Sequence, residues 1–204
     1  MTSLFRPVGL NELSLIWDSG MREFPPRLPH QPIFYPVTNS EYATQIARDW
    51  NTKDTSLAGY VTAFEIDDSY ISAYEPHTVG SSLHKEYWIP AERVPDFNAA
   101  LQGTISLHSA YFGPNFQGFV PDQGALKDKT ALAQVTTMAE LLLLNREAFV
   151  EEVTRNRKTV YLNFLFWIQV DCTTLGTDQR RRLELVRAIR QAWGSNLSAI
   201  ALPG

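Results

Sequence analysis

Over the first hundred residues the spacing of apolar side chains switches repeatedly between the period of a helix and that of a strand. Residues 4–8 make a short strand-like start. Leu10, Leu13, Ile16 and Trp17 then share one face of a helix over 10–19, with Gly20 as its stop. Prolines at 25, 26, 29, 32 and 36 make 24–36 an extended loop, because proline fixes φ and lacks an amide donor. The loop runs into a short edge strand over 33–35. Thr38 and Glu41 have capping-box spacing, with Thr38 able to cap a helix whose stripe is Tyr42, Ala43, Ile46, Ala47 and Trp50. After a polar connection over 51–58, alternation predicts strands over 59–67, 70–75 and 83–89. Residues 91–101 predict a short helical turn. Residues 103–112 predict a last strand, with Ile105, Leu107 and Tyr111 in one alternating set.

Beyond this point the pattern is helical. Residues 113–129, rich in Gly, Pro, Asn and Asp, read as a linker. Helices are predicted over 130–145, 146–155, 158–170 and 178–193. The third is apolar nearly all round and therefore buried. The fourth turns Leu185, Val186, Ile189 and Trp193 inward and ends at Gly194. The expectation is an α+β chain with a mixed domain over 1–112, a linker over 113–129 and a helical domain over 130–204. No internal repeat interrupts it.

Composition adds three bounds. With 204 residues, 44% hydrophobic and 20% charged, the chain has ordinary folded composition. Charge is uneven: residues 1–112 carry 7 Lys and Arg against 13 Asp and Glu, whereas 113–204 carry 11 against 9. An acidic first half argues against nonspecific binding of that half to a polyphosphate backbone. The single cysteine, Cys172, excludes an internal disulfide, fits a reducing compartment and reads as a buried inert thiol. The start lacks a basic segment followed by an apolar stretch, and the longest apolar runs are too short to span a bilayer. A cytoplasmic protein without a membrane partner is expected.

Catalytic signatures are few. There is no GxGxxG, Walker loop, GxSxG elbow or HExxH, and His30, His77, His84 and His108 do not fall at metal-ligand spacing, so no metal site is expected. The helical half has no catalytic pattern, and its run Arg180–Arg182 reads as a solvated charge cluster. What remains lies in the first half. Arg6 carries a rigid fork of donors on the opening strand. Tyr35, Thr38 and Ser40 follow at a polar strand-to-helix turn. On the strand over 83–89, alternation puts His84, Glu86 and Trp88 on one face. Ahead of that strand, His77 either hydrogen-bonds within its loop or contacts substrate.

These residues, in LFRPVGLNELSLIWDSG, IFYPVTNSEYATQIARDW and HTVGSSLHKEYWIPAE, resemble the ADP-ribosyltransferase superfamily, in particular the small bacterial proteins called ADP-ribosylation/crystallin proteins. The resemblance covers about residues 4–112 and implies a split β-sheet core that binds NAD as substrate. It implies that Arg6 anchors the dinucleotide, that Tyr35 stacks on nicotinamide, and that Thr38 or Ser40 supplies a hydroxyl. The segment departs from the Ser-Thr-Ser form found in part of the family, and Thr38 also has the helix-cap explanation. Glu86 takes the place of the glutamate that stabilises the oxocarbenium-like cation as the glycosidic bond breaks. His84, two residues before it, takes the place of the acceptor-contacting residue. The implied activity is transfer of ADP-ribose to an unidentified macromolecular acceptor with release of nicotinamide, the role of a toxin- or effector-like transferase. The helical half then regulates the cleft, recognises the target or binds a neutralising partner. NAD glycohydrolysis, removal of an RNA 2′-phosphate and a non-catalytic nucleotide- or protein-binding module are the alternatives.

Overall fold

The computed structural model describes residues 1–171, 179–196 and 200–204. Cys172 and the expected helix start at residue 178 lie outside them. The chain is α+β and divides into two units, Met1–Pro114 and Asn115–Gly204.

The first unit is built on an antiparallel sheet of three strands in the order β1 (Thr2–Val8), β3 (Ala58–Ile66), β7 (Leu101–Phe112). Central β3 is buried almost throughout, as expected of a strand covered on both faces. On one face, Leu4, Arg6 and Val8 of β1 and Tyr60, Thr62 and Phe64 of β3 are buried. Phe24, Phe34 and Phe97 pack there, with Phe24 4.9 Å from Phe64 and Phe34 5.0 Å from Phe97 between ring centres. The other face carries α2 (Ser40–Asp49), whose Tyr42, Ala43 and Ala47 pack with Val37, Val61, Phe5 and Tyr111. Gly59 allows this approach, since a Cβ there would lie 2.0 Å from the Ala47 carbonyl oxygen. Helix α1 (Leu10–Asp18) buries Leu10, Leu13 and Ile16, the face its apolar spacing predicts.

The segment at Val37 widens the sheet. Val37 exchanges both backbone hydrogen bonds with Phe5 (2.9 and 2.8 Å) and bridges to Glu86 on its other side. Glu86 belongs to β5 (Lys85–Glu86), which pairs with β4 (His77–Thr78); β2 (Ile33–Phe34) pairs separately with β6 (Ile89–Pro90).

Four expectations change here. Residues 70–75 are not a strand: Asp67 accepts from the Ser69 amide and starts a helical turn, α3 (Asp68–Ile71). The strand over 83–89 is two short pieces, β5 and β6, on different partners. The cap of α2 is Asn39, whose Oδ1 accepts from the Tyr42 amide at 2.8 Å; Thr38 lies one residue earlier and gives its amide to the Lys85 carbonyl. Tyr111 leaves the set of Ile105 and Leu107, because a register shift opposite Val61 and Thr62 inserts His108 and turns Tyr111 to the α2 face.

The second unit contains α5 (Ala131–Leu144), α6 (Arg146–Arg155), α7 (Arg157–Gln169) and α8 (Gln179–Asn196). Helix α4 (Val94–Ala99) belongs to the first unit. Helix α7 is buried nearly all round, as its composition requires, and α8 runs past Gly194. The boundary falls after Pro114, and 115–129 belong to the helical unit. Their backbone is held by buried side chains. Asn163 bonds the amide (2.8 Å) and carbonyl (2.9 Å) of Phe119, and Glu152 accepts from the Leu126 amide at 3.0 Å. A loop that satisfies buried polar groups is part of the core rather than a tether. In the Arg180–Arg182 run, Arg180 pairs with Glu184 and Arg182 donates to the Val170 carbonyl at 2.8 Å.

Candidate functional site

Glu86 sits where the Val37 bridge, α2 and the β4–β5 hairpin meet. Directly opposed residues in antiparallel pairs point to the same face, so Phe5, Val37, Glu86 and His77 align on the α2 side of the sheet. The half-buried carboxylate accepts from two neutral donors, Trp88 Nε1 at 2.8 Å on Oε1 and the Tyr42 hydroxyl at 3.3 Å on Oε2. Burial, and then the charge and hydrogen bond of Glu86, push the Tyr42 phenol up to about 12, so it stays a donor at neutral pH.

An aromatic surround holds this pair. The His84 ring stacks on Tyr42 at 4.4 Å, and its Nε2 lies 2.9 Å from Gln45 Oε1. The His77 ring stacks on Trp88 at 4.2 Å, and Tyr35 meets Trp88 edge-on at 6.5 Å. Trp88 and Tyr35 remain 44% and 38% exposed, which leaves apolar ring surface beside the carboxylate open to a ligand. Loop 79–84 lies next to it: Asn39 Nδ2 donates to the Leu83 carbonyl at 2.6 Å, so the residue that caps α2 also anchors the hairpin.

The predicted residues thus divide. Glu86, His84 and Tyr35 come together, and His84, Glu86 and Trp88 gather on one side as alternation predicts. Thr38 reaches the group through its backbone, and the Ser40 hydroxyl donates to Glu41 at 3.3 Å. Arg6 stands apart. It is next to Phe5 in β1 and so faces the opposite side of the sheet, where it is 5% exposed. Its fork is closed: Nε and an Nη reach the two oxygens of Glu12 at 2.7 and 3.2 Å, the other Nη reaches the Tyr35 carbonyl at 3.1 Å, and the guanidinium lies over the Phe34 ring at 4.3 Å. The donors of the residue expected to anchor the dinucleotide are thus engaged within the protein, and Arg6 braces the backbone of Tyr35. Tyr42, Trp88, His77 and Gln45 complete the cluster. The helical stripe accounts for Tyr42 as core, and only its phenol, which needs a partner when buried, hints at more.

Two cavities of the first unit lie elsewhere. One of about 530 Å³ is lined by Phe24, Pro26, Glu92, Val94, Asn98 and Leu101 among others. Another, of about 350 Å³, is lined by Arg6, Glu12 and Arg27 together with Asn11, Gln31 and Ser56. Among the described residues no cluster of His, Cys, Asp and Glu is arranged to hold a metal, and no helix is long and apolar enough to cross a membrane. The chain matches no known family model, no curated protein and no solved structure.

Proposed function

We propose that the first unit is an NAD-dependent ADP-ribosyltransferase with Glu86 as its catalytic carboxylate. The observation that carries the reading is a half-buried carboxylate oriented by two neutral donors beside exposed Tyr35 and Trp88. Such a group is oriented before substrate arrives, and among the described residues it forms no salt bridge. With the positively charged nicotinamide ring of NAD against the aromatic surface, the bond from ribose C1′ to the ring nitrogen breaks and nicotinamide leaves with the electron pair. Glu86 stabilises the cation left at C1′. An acceptor nucleophile then bonds to C1′ and loses its proton. His84, stacked beside Tyr42, influences which acceptor reaches C1′. Thr38 and Ser40 border the same turn, and the helical unit recognises the acceptor or a neutralising partner.

One observation favours a second reading. Arg6 is closed on Glu12 and faces away from Glu86, which suits a unit that binds a nucleotide or protein without turning it over. Incubation with labelled NAD and cell extract separates the readings. The transferase releases nicotinamide and labels a macromolecule, a glycohydrolase releases nicotinamide alone, and a binding module does neither.

A further inference from the structure

Arg27, in the proline-rich loop, has an environment that the Glu86 chemistry does not use. Its side chain is only 12% exposed, and Nε donates to the Ile33 carbonyl at 3.1 Å. The two Nη atoms make no hydrogen bond among the described residues; the nearest carboxylate oxygen, on Glu12, is 3.9 Å away and is already bonded to Arg6. Two largely buried arginines therefore share one carboxylate. Burial, and then the charge of Arg6, hold the Arg27 guanidinium below its ordinary range. A guanidinium does not lose its proton at neutral pH, and the Arg27 Nη atoms remain open to solvent, where an incoming anion can take the place of water.

The place for that anion is the 350 Å³ pocket that Arg27, Arg6 and Glu12 line. Its volume is in the range that holds a small organic ligand and exceeds what a lone ion needs. Asn11, Gln31 and Ser56 add polar contacts, and Leu15 and Leu28, both more than half exposed, supply apolar surface. Asp54 also lines the pocket, but it is exposed, so water screens it more than it screens the arginines. A planar fork with unfilled Nη atoms matches pairs of phosphate oxygens, and the leucines suit the remainder of a nucleoside.

We propose that this pocket binds a nucleoside diphosphate, with the diphosphate on Arg27 and the nucleoside toward Leu15 and Leu28. The site lies on the Arg6 side of the sheet and does not depend on the transferase reading.

Calorimetric titration of the whole protein with ADP, inorganic diphosphate and citrate tests it. ADP is expected to bind more tightly than diphosphate, and citrate weakly. Arg27→Gln should weaken ADP about 10- to 100-fold, the range for hydrogen bonds to a charged group. Gln31→Glu adds a negative charge to the Glu12 and Asp54 already lining the pocket, without touching the arginine pair, and should weaken ADP in the same direction, which keeps the test intact if Arg27→Gln does not fold. Unchanged ADP affinity in folded Arg27→Gln or in Gln31→Glu overturns the site, as does absence of ADP binding to the unaltered protein. Diphosphate binding as tightly as ADP overturns the nucleoside assignment, and citrate matching ADP overturns the phosphate assignment.

Discussion

Arg6 and Tyr42 show how differently a single polar side chain is used on the two faces of one sheet. Arg6 closes a largely buried pair with Glu12, and removing it leaves that carboxylate only the longer contact with Arg27 at 3.9 Å. Arg6→Ala is expected to lower the stability of the first unit by about 3 kcal/mol, read from denaturant melts. A variant as stable as the parent would mean that the pair is not what holds Tyr35. Tyr42 is a neutral donor to Glu86, and its phenol is raised from 10.0 to about 12. The folded state therefore keeps a proton that the unfolded chain loses above pH 10. The associated stability is complete below pH 10 and is lost as pH rises toward 12. Tyr42→Phe removes this contribution, so the parent should lose more stability than the variant between pH 9 and 11.5. Equal losses would detach Tyr42 from the carboxylate.

At the scale of elements, the cap of α2 links helix formation to the Glu86 hairpin, because Asn39 bonds both the Tyr42 amide and the Leu83 carbonyl. Asn39→Ala should cost about 1 kcal/mol as a lost cap and also speed amide exchange in 79–84. Thr38→Val should do neither. If the two substitutions exchange these effects, the cap assignment fails. Elements with a strong local signal were legible in the sequence: the α1 face, β1 and β3 follow from period, and the burial of α7 from a helix that is apolar nearly all round. The strand expected over 70–75 failed because Tyr70 and Tyr74 suit a strand pattern and a helical turn equally well, and Asp67 decides between them. Alternation across His84, Glu86 and Trp88 placed three site residues on one side. Tyr42 and Gln45 were not legible as site residues, since they reach the cluster only through the non-local bridge at Val37. The closed fork of Arg6 was equally hidden, because a pair six residues apart that spans a strand and a helix leaves no periodic trace.

For the molecule as a whole, the loop over 115–129 is the test of how the helical unit holds together. Gly124 has φ of +70°, and a Cβ there would meet Glu152 Oε1 at 2.5 Å. Gly124→Ala should therefore destabilise the second unit by about 2 kcal/mol or more through strain and displacement of a buried carboxylate. The first unit, with its own core, should keep its melting transition; loss of both transitions together would show that the units do not fold separately. The central claim is that the first unit turns over NAD through Glu86. Glu86→Gln keeps the size and removes the negative charge, so nicotinamide release should fall by about 10²- to 10³-fold. NAD affinity should change far less, because the interaction strengthens mainly as the bond breaks. Nicotinamide release by the whole protein and by Glu86→Gln, measured at saturating NAD, is the most direct test: a fall of that size is the predicted result, and a Glu86→Gln protein with undiminished release contradicts the account.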